Sequence, residues 1–254
     1  MWFEEKYKTV GSGELAEKMK RTERLCKAER ESAGEKRSAK ASHRAYCFFK
    51  RAADIVLSGL GLVVLSLPIA VVALAVYIDD PGEVLFRQYR VGRDGKPFLL
   101  YKFRSMKRDT PKYMSTAEVD DPKKYITRVG RFLRKTSLDE IPQLLNVFRG
   151  DMSLVGPRPL IPDEEEIHRM RAAEGVYRLR PGVTGLAQIN GRDTVSPTEK
   201  VRWDVAYLEH FGLIMDLKIL IATVPKVFGA QGVVEGYSLK SGDDEKSDGV
   251  NEVS

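Results

Sequence analysis

A chain of 254 residues with 43% apolar residues can bury one good core, and it is short for two large domains. Its 42 basic residues against 36 acidic ones leave a net charge of +6, which suits a surface that meets anionic lipid, phosphorylated substrates or nucleic acid. Two cysteines, Cys26 and Cys47, with no second pair at ligand spacing, argue against a disulfide framework or a zinc site.

Residues 1–46 are rich in Lys, Arg and Glu and lack the apolar h-region and small-residue cleavage site of a secretory signal. Oppositely charged pairs four apart between Glu14 and Arg37 allow a solvated helix, but no apolar stripe is wide enough to hold a core. The expectation is a mobile or surface extension, with both cysteines outside the folded unit. Residues 47–80 contain the uncharged run Ile55 to Ile78, long enough at about 1.5 Å per residue to reach across roughly 30 Å of hydrocarbon. A buried core helix is the weaker reading, because soluble helices usually show a polar face. Pro68 lies in the middle of the run beside Ser66, and its missing N–H predicts a kink or break there.

The region 81–236 reads as a compact α+β unit. β-like runs at Val84 to Tyr89 and Pro97 to Phe103 flank a hairpin turn at 92–95, and helical signals follow at Ile141 to Phe148, Asp163 to Ala173 and Thr198 to His210. Leu213 to Phe228 is interrupted by Asp216, Lys218, Pro225 and Lys226, and fits an interfacial amphipathic helix or a helix packed on the core equally well. Residues 237–254 are polar and are expected to be disordered.

Chemistry concentrates in Arg131 to Pro142 and Asp151 to Pro159, where cations and carboxylates alternate. Asp139 and Glu140 beside guanidinium groups fit phosphoryl chemistry, which needs a metal-binding carboxylate, a nucleophile or base, and positive charge for phosphate oxygens. The same residues fit helix capping: Ser137 and Glu140 match a capping box, and Asp139 as N-cap places Pro142 in the first turn. An N-cap Asp139 is expected to stay ionised. Arg158 between Pro157 and Pro159 is either a guanidinium held ready for phosphate or an exposed residue of a rigid loop. Arg180 to Arg192, with three glycines, is neither a Walker loop nor a dinucleotide fingerprint. Lys102 and Arg104 alternate with aromatics and share one strand face, toward an anion or toward solvent. His168 and His210 read as surface helix residues without metal spacing.

Several motifs occur in order: Lys50-Arg51 with Asp54, Tyr101 to Met106, Gly130 to Gln143, Gly150 to Pro159, and Arg180 to Arg192. Together, from Lys50 to about Gly236, the chain resembles the bacterial sugar transferase family, the small monotopic phosphoglycosyl transferases. The resemblance implies a re-entrant broken membrane helix, with a compact, mostly helical catalytic domain on the cytoplasmic face of the bacterial inner membrane. It implies that Asp139 attacks the β-phosphate of a UDP-sugar, expels UMP and carries a phosphosugar ester that polyprenyl phosphate displaces. Asp139 and Glu140 are then the Mg²⁺ ligands, with Glu140 as ligand or acid/base, and Lys102, Arg104, Arg134, Arg158 and Arg192 bind phosphate. The implied partners are the donor, the lipid acceptor and membrane lipid, not nucleic acid. Where the family often has Ser-Pro at the helix break, this chain has Ser66-Leu67-Pro68. A basic adaptor without catalysis and a nucleotide-sugar hydrolase are the competing readings, and the sugar and oligomeric state stay open.

Overall fold

The computed structural model describes residues 13–33, 41–108, 110, 122–191 and 196–229. The segment 237–254 and Arg192 lie outside the described residues.

The first helix, α1 (Gly13–Ala33), lies in the segment read as a mobile or surface extension. It buries Met19, Thr22 and Cys26, which at spacings of three and four form one narrow seam. That seam packs on α6 (Glu165–Ala173) and on the hairpin tip, with Lys18 Nζ 2.8 Å from Asp163 and Arg21 Nη1 3.2 Å from Glu165. Cys26 joins a core cluster with Val91, Ala172 and Tyr177, so it belongs to the folded unit, and burial pushes its thiol up to about 12. Gly95 has φ +73°, and a Cβ there would stand 2.7 Å from Cys26 Cβ, so this glycine admits the helix.

Helices α2 (Ala41–Val64) and α3 (Ser66–Asp79) meet at a 61° bend. Ser66 opens α3 and Pro68 is its third residue, in a first turn whose N–H groups have no helical partner. The expected break therefore falls at Leu65, one turn before the proline, because Pro68 cannot donate to the carbonyl of Val64 four residues back. Neither helix alone is long and apolar enough to cross a membrane. Their outer faces are nonetheless apolar and exposed, with Val63 and Leu67 each 72% accessible. The inner face of α2 is small and polar: Gly59 and Gly61 lie against Phe148 and Leu144, and buried Asp54 accepts from the Leu154 N–H at 3.0 Å.

Strands β1 (Leu85–Val91) and β2 (Pro97–Phe103) form the expected antiparallel hairpin, in register from Leu85↔Phe103 to Val91↔Pro97. Helix α4 (Arg128–Thr136) is capped by Thr127, whose hydroxyl accepts from Gly130 N–H at 2.9 Å, and ends at Ser137 with φ 56°. A 3₁₀ turn at Leu138–Glu140 leads to α5 (Gln143–Arg149). Short strands β3 (Ser153–Val155) and β4 (Gly182–Thr184) pair in parallel. Helix α7 (Pro197–Glu209) begins with a capping box formed by Ser196 and Glu199.

The last apolar stretch forms α8 (Leu213–Gly229), one face of which packs on the core, as one of the two readings expected. Met215, Ile219 and Leu220 pack with Val155 and Tyr207, while Leu213, Ile214, Leu217 and Ile221 are exposed. Asp216 is no mere interruption: it is buried and accepts from Tyr46 Oη and Tyr207 Oη, each at 2.6 Å, and pairs with Lys50. His168, expected at the surface, is fully buried, with Nε2 2.8 Å from the Ile161 carbonyl and Nδ1 against Tyr177 Oη. His210 is exposed as expected.

Candidate active site

The capping reading of the acid pair fails on backbone geometry. Ser137 is left-handed and closes α4 without a side-chain capping bond, and Pro142, not Asp139, precedes α5. Asp139 and Glu140 instead occupy the tight turn between the two helices, which directs them toward β2. Lys102 Nζ lies 2.7 Å from Glu140 Oε1, and Arg158 Nη1 lies 4.0 Å from the same oxygen. Lys102, Glu140 and Arg158 border an open cleft that Arg90, Gln143 and Gly182 also line.

Asp139 is only 9% exposed. Burial, with a smaller push from the Glu140 charge, raises its carboxyl above the usual range, while Lys102 and Arg134 pull it back. The ionised state expected from an N-cap is thus replaced by a carboxylate that depends on neighbouring cations. Arg134 Nε donates to Ser105 Oγ at 2.9 Å. Gly130 makes this possible, since a Cβ there would collide with the Ser105 carbonyl and push α4 off the strand exit.

Arg104 goes elsewhere. The strand ends at Phe103, the chain turns, and the Arg104 guanidinium binds the Asp80 carbonyl, with the Asp80 carboxylate 3.6 Å away. It ties the hairpin to the end of α3 and is not brought to the acid pair.

Gly156, Pro157 and Arg158 are each pinned through the backbone. Gly156 N–H donates to Thr184 O at 2.9 Å, Gly182 N–H to Pro157 O at 2.8 Å, and Arg171 Nη1 to Arg158 O at 2.8 Å. Arg171 is itself clamped, with Nε 2.8 Å and Nη2 2.6 Å from Asp204 Oδ2, both residues being buried. Sequence reasoning missed Arg171, Asp204 and Arg90. For Arg90 a signal existed, since β-alternation and the hairpin register put Gln88 and Arg90 on the face of Leu100 and Lys102.

Among the described residues no three His, Cys, Asp or Glu side chains gather as a metal cage. Glu140 at the open cleft, with Asp139 buried beside it in sequence, nonetheless fits Mg²⁺, which takes one or two carboxylates and completes its shell with water and substrate phosphates. A buried Asp139 and a half-buried Glu140, faced by lysine and arginine beside a rigid arginine loop, are groups that phosphoryl chemistry can use.

The family model described as bacterial sugar transferase matches residues 45–230, and the chain belongs to that family. It is 46% identical over 188 residues to the UDP-glucose:undecaprenyl-phosphate glucose-1-phosphate transferase of Escherichia coli K12, covering 70% of this chain and 40% of that protein. It is 45% identical over 173 residues to the uncharacterized sugar transferase EpsL of Bacillus subtilis 168, covering 67% of this chain and 81% of the relative. The exopolysaccharide production protein ExoY of Sinorhizobium fredii is 38% identical over 197 residues, with 72% and 87% covered. The chain therefore spans less than half the length of the E. coli relative and most of the other two. Helix α1 precedes the family match.

Proposed function

We propose that this protein transfers a sugar 1-phosphate from a UDP-sugar to polyprenyl phosphate, giving a polyprenyl diphosphosugar and UMP, as an early membrane step in surface-glycan assembly. The observation that carries this reading is buried Asp139 beside half-buried Glu140, which faces Lys102 and Arg158, inside the region shared with relatives named for this transfer.

An Asp139 carboxylate oxygen attacks the β-phosphorus of the donor, and the bond from that phosphorus to the bridging oxygen breaks, so that UMP leaves with the electron pair. The phosphoryl oxygen of polyprenyl phosphate then attacks the same phosphorus and returns Asp139 as a carboxylate. Lys102 and Arg134 favour the ionised nucleophile, and Arg158 is placed to hold phosphate oxygens. Glu140 keeps Lys102 in position and raises the basicity of Asp139. Asp139 and Glu140 are the residues that would hold Mg²⁺, which would supply neutralisation of the pyrophosphate charge. Purified protein given a panel of UDP-sugars should release UMP in proportion to added polyprenyl phosphate, beyond at most one equivalent from donor alone. Continuous release without acceptor would make it a hydrolase, and no release from any donor would favour the adaptor.

The bent α2–α3 pair enters and leaves the bilayer on the cytoplasmic side, with α8 lying at the surface. Support comes from the 61° bend and from the exposed apolar faces of both elements. Nucleotide sugars are cytosolic, so a crossing helix would put the cleft on the side without donor. Native Cys47 and an introduced Glu83→Cys, each alone in a Cys26→Ala background, report the two ends. Both should resist an impermeant thiol reagent in intact cells and react once the cells are opened. Labelling of the Glu83 site from outside, with Cys47 protected, would mean a crossing helix.

A further inference from the structure

The cleft contains a cation that the proposed chemistry has not used. Arg90, near the end of β1, borders the cavity beside Arg158, on the same sheet face as Lys102. Its Nη2 donates to Gln88 Oε1 at 2.6 Å and its Nη1 makes a long 3.4 Å contact with the Pro159 carbonyl. Its Nε is buried with no partner. Among the described residues no carboxylate stands within ion-pair distance of Arg90, whereas Lys102, Arg104 and Arg171 each have one. Arg90 as a whole is half-buried, and a guanidinium drawn part-way from water with no ion-pair partner gains when an anion arrives to meet it. Burial, together with the neighbouring Arg158 charge, lowers the Arg90 guanidinium to about 10. Arg90, Lys102 and Arg158 thus line one cleft against a single lining carboxylate, Glu140.

We infer that Arg90 is a phosphate-binding residue, forming with Arg158 a two-guanidinium subsite that closes around a phosphate group when substrate enters the cleft. The inference rests on the proposed transferase reading and deepens it. The phosphate belongs to the nucleotide donor, to the lipid acceptor, or to both in turn, since the two exchange at one phosphorus.

Equilibrium binding to the full chain in detergent micelles separates these sources. The probes are UMP, inorganic pyrophosphate and a short-chain polyprenyl phosphate, with uncharged uridine as control. Arg90→Gln should weaken one or more of the phosphates about tenfold or more and leave uridine unchanged, the loss of one charge-assisted, forked contact. Arg90→Lys should fall between, since it keeps the charge and loses the fork. Loss for UMP alone assigns the donor phosphate, loss for polyprenyl phosphate alone the acceptor, and loss for both a shared subsite. The melting temperature of Arg90→Gln should not fall, because the substitution removes an uncompensated charge. Wild-type phosphate affinity in Arg90→Gln would overturn the assignment, as would failure of that variant to fold, which would make Arg90 a prop for the Pro159 loop. If the unmodified protein bound none of the phosphates, the transferase reading itself would fail, a result distinct from either.

Discussion

Asp139→Asn should yield a folded protein whose turnover is lower by on the order of 10⁴-fold or more, the loss expected when a covalent nucleophile becomes a neutral amide. Incubated with donor alone, the unmodified protein should carry a phosphosugar on Asp139, seen as a mass increment on the peptide containing it, and the variant should carry none. Wild-type turnover in Asp139→Asn would remove the residue from the mechanism. The variant also tests an energetic consequence of the site. Because burial and Glu140 raise the Asp139 carboxyl, the folded chain binds this proton more tightly than the unfolded chain does. Folding stability from this group is therefore greatest below the ordinary carboxylate range and declines as pH rises through the raised value. At neutral pH the asparagine variant should melt no lower than the wild type, as expected where a site gives up stability for activity.

Asp204→Ala should be among the most destabilising single changes in the molecule. It leaves the buried Arg171 guanidinium without its carboxylate, a change that costs about 3–5 kcal/mol. For a domain of this size the melting temperature should fall by roughly 10 °C. Replacing both partners, as Arg171→Met with Asp204→Leu, should recover much of that stability, since an apolar pair of similar volume has no charge to desolvate. Recovered stability should not bring back full activity, because the Arg158 carbonyl would still lack its donor. A double variant with wild-type kcat and KM would reduce the ion pair to a purely structural element.

The parts of the site that were legible in the sequence are those whose chemistry is local. Adjacent carboxylates at 139 and 140 and an arginine between two prolines announce themselves, and the hairpin followed from alternation around a glycine turn. What stayed hidden depends on tertiary partners. Ser137 and Glu140 match a capping box, and only the left-handed backbone at Ser137 excludes it. Arg104 follows the same alternation as Lys102, yet the strand ends one residue before it and Asp80 captures its side chain. Helix α1 docks through a seam of Met19, Thr22 and Cys26, and one of those side chains is polar, so hydrophobic periodicity could not single it out. His168 has the sequence context of an exposed helical residue, and its burial depends on Tyr177 and a carbonyl seven residues earlier.

Asp216 joins two apolar elements far apart in sequence, since Tyr46 and Lys50 on α2 and Tyr207 at the end of α7 all meet its carboxylate at the start of α8. A body resting on a greasy surface through one foot can swivel about that foot, and the height of any opening above the surface then wanders. Two feet locked to each other by a buried carboxylate remove that freedom. Under the membrane arrangement proposed above, that lock would fix the height of the cleft over the lipid headgroups, and with it the depth at which a lipid-anchored acceptor presents its phosphate.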